Sequence, residues 1–147
     1  MESRGICLCG DIEFSVRGLS GNIYQCHCSL CRKQGGSASN TGTVVAVEQL
    51  TWLKGEEHIS SWTKDSGFKT CFCKNCGALV PNQLRGLNYY WIPIGVLENL
   101  SFKIVANLYL DHKAPWGVVS SSGTNYETMP EVSEFIKLLD NELHTSK

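Results

Sequence analysis

The sequence lacks the long apolar run that a membrane-spanning helix requires. None of its 147 residues lies in a stretch approaching the roughly 20 consecutive apolar residues that cross a bilayer. Residues 1–7 also lack the apolar centre of a secretory signal peptide. We therefore expect a protein of the reducing cytoplasm that has no membrane partner.

The sequence also lacks a run of lysine or arginine. Its 13 basic residues are scattered among 14 acidic ones, and the formal net charge is -1. Proteins that bind a phosphate backbone usually concentrate positive charge on one face, so nucleic acid is not an expected partner. There is no internal repeat, and 42% hydrophobic with 18% charged residues is typical of one globular domain. No particular oligomeric state is indicated.

Cysteine, by contrast, is abundant. The eight cysteines form three clusters: Cys7 and Cys9; Cys26, Cys28 and Cys31; Cys71, Cys73 and Cys76. Disulfides are rare in the cytoplasm and seldom join cysteines so close in sequence. A Cys-x-x-Cys turn lets two sulfurs reach one metal ion, and the glycine after Cys76 suits the positive φ of such a turn. The clusters therefore predict zinc; the alternatives are buried thiols, a redox pair and an iron–sulfur cluster.

The spacing leaves open how the eight sulfurs are shared. They could make two four-cysteine sites, or one closed site, one open site and a spare cysteine. In the second arrangement the middle cluster would hold one side of an ion and leave a coordination position free, as catalytic zinc sites do. The outer clusters would each lend two sulfurs to the closed site, and Cys71 would remain as a buried thiol.

Short apolar runs separated by turn residues predict a mainly β protein. The predicted strands are 12–16, 43–47, 50–53, 59–63, 68–72, 89–94 and 102–106. One helix is predicted near the C-terminal end, where residues 128–131 resemble a capped start. The residues that recur there at helical spacing are Val132, Phe135, Ile136, Leu139 and Leu143.

The cysteine clusters are parts of longer motifs. These are Gly5-Ile6-Cys7-Leu8-Cys9-Gly10, Cys26-His27-Cys28-Ser29-Leu30-Cys31 and Phe72-Cys73-Lys74-Asn75-Cys76-Gly77, followed later by Lys113-Ala114-Pro115-Trp116. In order and spacing they resemble the glutathione-dependent formaldehyde-activating enzyme family, which has the same domain as centromere protein V. The resemblance covers residues 3–125. It implies a zinc domain of that extent, with residues 126–147 as a helical extension packed on it.

The resemblance implies a β-tent fold, in which zinc staples small antiparallel sheets and one C-terminal helix follows. It implies two zinc ions per chain. The structural ion would be bound by Cys7, Cys9, Cys73 and Cys76, and the catalytic ion by Cys26, Cys28 and Cys31. The implied activity is that of a carbon–sulfur lyase acting on adducts of glutathione with an aldehyde, such as S-hydroxymethylglutathione. A small thiol and an aldehyde are the implied partners.

Three thiolates on one zinc leave a net charge of -1, which makes the metal a weak Lewis acid but still lets it lower the pKa of a bound thiol. That chemistry suits the addition of a thiol to an aldehyde. The alternative function is a zinc-stabilised protein-binding module without catalysis. His112 stands where the family usually has serine, and is either a general base or a surface histidine. Arg32 and Lys33 either attract the carboxylates of glutathione or form a solvated pair.

Overall fold

The computed structural model describes residues 1–99 and 101–141. Within them the chain forms eleven strands and two α-helices. The strands are β1 (Ser3–Ile6), β2 (Glu13–Val16), β3 (Asn22–Cys26), β4 (Asn40–Ala46), β5 (Leu50–Lys54), β6 (Ile59–Thr63), β7 (Lys69–Cys73), β8 (Asn82–Gln83), β9 (Tyr89–Pro93), β10 (Lys103–Leu108) and β11 (Thr124–Asn125). The helices are α1 (Ser29–Gly35) and α2 (Val132–Leu139). Within the described part of the chain, no helix has the length and apolar character that crossing a membrane demands.

The strands form three small sheets. One contains β1, β2 and β5, the second is the hairpin of β6 and β7, and the third has the order β11-β10-β3-β4-β9-β8. The mainly β prediction is confirmed. The largest sheet is mixed rather than purely antiparallel, because β10 runs parallel to both β3 and β11. Parallel neighbours need a long crossover, and here most of the chain lies between β3 and β10.

The six-stranded sheet is covered on both faces. Neighbouring residues of one strand point to opposite faces, so Tyr24 packs with α2 while Ile23 packs with the three-stranded sheet. Val44 and Val45 divide in the same way on β4. A strand buried on both sides loses the alternation of apolar and polar residues. This explains why β3 is not predicted from the sequence.

The seven predicted strands match β2, β4, β5, β6, β7, β9 and β10 to within a few residues. Their signal is clearest in β2, where Phe14 and Val16 are buried while Glu13 and Ser15 lie on the partly exposed face. Burying such apolar side chains stabilises the fold by roughly 1.5–3 kcal/mol each. The two-residue strands β8 and β11 are too short for any periodic signal.

Helix α2 begins later than predicted. Residues 128–131 precede it, and Glu131 is the N-cap residue without a capping hydrogen bond from its side chain. Phe135, Ile136 and Leu139 are buried as the helical spacing predicts. Val132 is 52% exposed, so its predicted packing is wrong, because it lies on the outer face of the first turn.

The last residue of the predicted apolar face, Leu143, lies outside the described residues. The described helix ends at Leu139, and Asp140 follows in the left-handed conformation with its backbone N–H on the carbonyl of Ile136. Inside the fold, the rings of Phe135 and Tyr24 meet edge to face with 4.9 Å between their centroids. The helix therefore closes the core directly behind strand β3.

Candidate metal centres

Two turns that are far apart in sequence bring four thiols together. Cys7 and Cys9 lie in the turn between β1 and β2, Cys73 ends β7, and Cys76 lies in the turn that follows. The four sulfurs all lie within 4.8 Å of one another. These are the same four cysteines that the sequence analysis placed in a closed site.

Each of these turns closes with a glycine at positive φ. The Gly10 N–H donates to the carbonyl of Cys7 at 3.1 Å, and the Gly77 N–H donates to the carbonyl of Cys73 at 2.8 Å. Their φ angles are 85° and 77°, a region that favours glycine. The positive φ predicted after Cys76 is thus present. The side-chain amide of Asn75 also donates to the carboxylate of Asp11, which ties the two turns together.

The separations between these sulfurs fit a metal ion and not a disulfide. Cys9 Sγ lies 3.7 Å from both Cys7 Sγ and Cys73 Sγ. A disulfide bond measures about 2.05 Å, and all eight cysteines are free. Four sulfurs bound tetrahedrally to one zinc at 2.3 Å would stand about 3.8 Å apart. The geometry therefore matches a closed tetrahedral site.

The thiols of this group differ in how readily they lose a proton. The backbone N–H of Ala78 is the main cause that lowers the pKa of Cys76 to about 6. At Cys9, the backbone N–H of Asp11 favours the thiolate, but desolvation and hydrogen bonds with the neighbouring thiols raise the pKa to about 12. One thiolate is therefore easy to form and the next is not. A bound cation would remove that obstacle, because thiolates are the form that binds metal.

The second group of thiols is built around the start of α1, the helix that the sequence analysis did not predict. Cys26 ends β3, Cys28 is the N-cap residue of α1, and Cys31 lies in its first turn. Their three sulfurs also lie within 4.8 Å of one another. The Cys31 N–H donates to Cys28 Sγ at 3.3 Å, so the hydrogen bond that caps the helix also joins two members of the thiol group. The His27 N–H donates to the carbonyl of Leu108 at 2.9 Å and fixes the chain between them.

One thiolate is strongly favoured within this second group. Hydrogen bonds from the thiols of Cys26 and Cys31, followed by backbone N–H groups at the start of α1, lower the pKa of Cys28 to about 2. The hydrogen bond to Cys28 raises the pKa of Cys26 to about 12, and hydrogen bonds with Cys26 and Cys28 raise the pKa of Cys31. Three sulfurs can fill three corners of a tetrahedron, and the fourth corner would be left for another ligand.

The three sulfurs open onto a cavity of about 510 Å³, here called the thiol cavity. Its volume falls in the range of roughly 300–1,000 Å³ that accepts small molecules. Apolar side chains of Tyr24, Phe68, Leu84, Trp91 and Leu108 line much of it. None of Cys7, Cys9, Cys73 and Cys76 is among the described residues that line it. The two thiol groups therefore differ in their surroundings. The four-thiol group (Cys7, Cys9, Cys73 and Cys76) reaches the protein surface, where Cys9 is exposed, whereas the three-thiol group (Cys26, Cys28 and Cys31) faces a cavity.

Two polar residues, Tyr109 and His112, line the same cavity as the three thiols. His112 lines the thiol cavity, and its Nδ1 lies 2.8 Å from a carboxylate oxygen of Asp111. Tyr109, also in the lining, has a φ of 57°, which is uncommon for a residue with a side chain. Burial and the nearby thiolates raise the pKa of Tyr109, so its hydroxyl remains a hydrogen-bond donor.

Cys71, Arg32 and Lys33, for which the sequence suggested roles, do not line this cavity, and neither does His27 of the second cysteine motif. His27 is fully buried, belongs to neither thiol group, and its pKa is lowered by burial. Cys71 is a buried thiol outside both groups, as expected, and burial raises its pKa.

Several residues of the lining carry no signal in the sequence. Lys69 begins β7, Arg85 lies between β8 and β9, and Phe68 precedes β7. Each belongs to a hairpin that comes near α1 only when distant parts of the chain have packed together, and the sequence alone does not show that packing. For Tyr109 the sequence offers one signal. It lies three residues before His112, which stands where the family usually has serine.

Comparisons with known proteins agree with this architecture. A family model described as glutathione-dependent formaldehyde-activating enzyme matches residues 2–112. An uncharacterized lyase of Schizosaccharomyces pombe is 28% identical over 116 residues, covering 76% of this chain and 81% of the relative. A crystal structure of a Rhodobacter sphaeroides protein has a TM-score of 0.57 and 27% identity, covering 66% of this chain and 89% of the other.

Proposed function

Since this chain belongs to the glutathione-dependent formaldehyde-activating enzyme family, we propose that it is a zinc-dependent carbon–sulfur lyase. Its substrates would be adducts of a small thiol such as glutathione with an aldehyde, of the S-hydroxymethylglutathione kind. The relative from Schizosaccharomyces pombe is itself named as a lyase, which supports this reaction class.

One observation carries the proposal: three thiols lie together in the wall of a cavity that is large enough for a small molecule. A purely structural metal site has no need of a free coordination position or of access from a cavity. The alternative, a protein-binding module stabilised by zinc, leaves this access unexplained. We place the structural ion in the four-thiol group, which has all four ligands and does not line the cavity.

Cys26, Cys28 and Cys31 would hold the catalytic ion. When bound, zinc would accept the sulfur of the cosubstrate and lower the pKa of that thiol, so that a thiolate is available near neutral pH. The protein residues would then handle the oxygen of the adduct. The apolar walls of the thiol cavity would exclude water from the reacting carbon.

In the cleavage direction, His112 would take the proton of the adduct hydroxyl at its Nε2, while Asp111 holds Nδ1. The carbon–oxygen bond becomes a carbonyl and the carbon–sulfur bond breaks with its electron pair left on sulfur. The sulfur is protonated on release, so the products are one thiol and one aldehyde. Tyr109 would donate a hydrogen bond to the same oxygen. Addition follows these steps in reverse.

The remaining features of the proposal follow from the same groups. Two thiol groups imply two zinc ions per chain. Eight free cysteines are best kept reduced in the cytoplasm. We place the zinc domain at residues 3–125 and treat residues 126–147 as its extension, since buried residues of α2 share a core with Tyr24 and Trp91.

The direct test measures exchange between the adduct and its free components at equilibrium, because uncatalysed addition is itself quick. Exchange NMR on S-hydroxymethylglutathione should show faster interconversion with the two-zinc protein than in buffer. A panel of larger aldehydes would then define the preferred adduct. The proposal fails if the protein binds two zinc ions per chain and accelerates none of these exchanges.

The role of His112 makes a separate prediction. His112→Asn should lower kcat by about 10²- to 10⁴-fold, the usual contribution of a positioned acid–base group. Zinc content and melting temperature should stay unchanged. His58→Asn is the matched control, because His58 pairs with Glu57 and does not line the cavity. Equal activities of the two variants would exclude His112 from proton transfer.

A further inference from the structure

The thiol cavity continues outward into a second depression of about 360 Å³, here called the outer groove. The two share five lining residues, namely Gly67, Lys69, Gln83, Leu84 and Arg85. A ligand that reaches the three thiols with one end can therefore extend along this groove with the other. The shared residues come from the β6–β7 hairpin and from the segment between β8 and β9.

The thiol cavity and the outer groove together form an access passage, and its charge is positive. Among the described residues that line the thiol cavity and the outer groove, none is aspartate or glutamate, whereas Lys69 and Arg85 line both. Neither of these two cations belongs to any ion pair of the described chain. Two cations without an acidic partner, in an access passage to a reactive centre, favour an anionic ligand.

The position of Arg85 depends on the turn that faces it. A Cβ added at Gly67 would stand 3.2 Å from Arg85 Nη1 and 3.5 Å from its Cδ, so the arginine lies directly over this glycine. Gly67 has a φ of 98°, which residues with a side chain rarely adopt. The glycine thus leaves the space that lets the guanidinium lie beside the hairpin that carries Lys69.

A chain of polar contacts connects this hairpin to the thiols. The Gln34 side-chain amide of α1 donates to Thr70 Oγ1 at 3.0 Å, and the Asn40 amide donates to Gln34 Oε1 at 2.8 Å. Thr70 is the neighbour of Lys69 on β7, and α1 carries Cys31. The cationic end and the thiol end of the passage are therefore held by contacting elements.

We propose that Lys69 and Arg85 form a carboxylate-binding subsite that selects acidic thiols as the cosubstrate. This inference rests on the proposed function and extends it. The sulfur of the cosubstrate would reach the three-thiol group, while a carboxylate at its far end meets the ammonium and guanidinium groups. Arginine binds carboxylates through two parallel hydrogen bonds, which gives the subsite its preference for that group. Neutral or cationic thiols would lack this anchor.

The test compares glutathione with its diethyl ester, which keeps the thiol but loses both carboxylate charges. With the formaldehyde adducts of both, Lys69→Met and Arg85→Met should each raise KM for the glutathione adduct by about 10- to 100-fold, the range for losing a hydrogen bond between charged groups. The KM for the ester adduct and both kcat values should stay close to wild type. Lys64→Met is the matched control, since Lys64 lies on the same hairpin outside both depressions.

Equilibrium binding separates this inference from the proposed function. Calorimetric titration with S-methylglutathione and with its diethyl ester requires no turnover, and melting curves verify that each variant is folded. The subsite is supported if S-methylglutathione binds tightly, its diethyl ester does not, and Lys69→Met and Arg85→Met each weaken the binding of S-methylglutathione. This holds even if no adduct is cleaved. The subsite would be overturned if S-methylglutathione and its ester bound equally, if neither bound, or if the variants left the KM ratios unchanged. Cleavage of the adduct by the wild type tests the proposed function independently of these results.

Discussion

Cys73→Ser is expected to abolish the folded state of the domain under conditions in which the wild type is stable. Cys73 is fully buried at the end of β7 and belongs to the four-thiol group that joins this strand to the turn after β1. Binding of a structural zinc contributes about 10–16 kcal/mol in zinc-finger peptides, whereas whole domains are stable by about 5–15 kcal/mol. Circular dichroism and thermal melting would measure the loss, and metal analysis would show fewer than two zinc ions.

Cys71→Ser provides the matched control for that experiment. Cys71 lies two residues earlier on the same strand, is also buried, and belongs to neither thiol group. Its replacement buries a hydroxyl in the same core at a cost of about 1–3 kcal/mol but removes no proposed ligand. A modest fall in melting temperature with two zinc ions retained is expected. If both variants melted alike, the four-thiol group would not be a structural metal site.

Cys28→Ser should separate catalysis from folding. Cys28 is the N-cap of α1, where its side chain accepts the Cys31 N–H, and serine is among the preferred residues at this position. The variant therefore keeps the helix cap and loses only the thiolate. We expect one zinc ion per chain, a melting temperature close to that of the wild type, and a rate loss of about 10³-fold or more, since a metal supplies several kcal/mol to such a transition state.

Two measurements decide the outcome for Cys28→Ser. Zinc quantitation should fall from two ions to one, and exchange NMR should return to the uncatalysed rate. The Cys71→Ser variant should retain both properties, which shows that a cysteine outside the two groups is dispensable for the reaction. Full activity in a folded Cys28→Ser variant with a single zinc ion would place the reaction elsewhere.

The two groups of thiols could be predicted from the sequence because their geometry is largely local. Three cysteines within six residues can meet around one ion almost regardless of the fold, and each Cys-x-x-Cys or Cys-x-Cys turn brings its two sulfurs close. The strands with one exposed face could be predicted for a similar reason. In β2, for example, buried apolar and partly exposed polar residues alternate along the chain.

What the sequence did not reveal depends on contacts between distant segments. Helix α1 has seven residues, too few for a periodic apolar stripe, and it is stabilised by a cysteine cap that propensity does not anticipate. The strand β3 is buried on both faces, so its pattern does not alternate. Lys69 and Arg85 reach the same groove only after two hairpins have packed near α1. Arg32 and Lys33 were adjacent to the motif in sequence, yet they lie outside the thiol cavity.

The parallel pairing of β3 with β10 has a consequence for biosynthesis. On the ribosome, the segment with Cys26, Cys28 and Cys31 emerges long before Leu108, the last residue of β10, and Tyr109, which follows it; both line the thiol cavity. A contact of such high sequence separation forms late. The local trio can thus take up an ion from the surrounding pool while the nascent chain is still open, and thiolates also attract softer metals such as Cu(I). An ion bound at that stage would be selected by the metal available during translation, before the walls of the thiol cavity have formed.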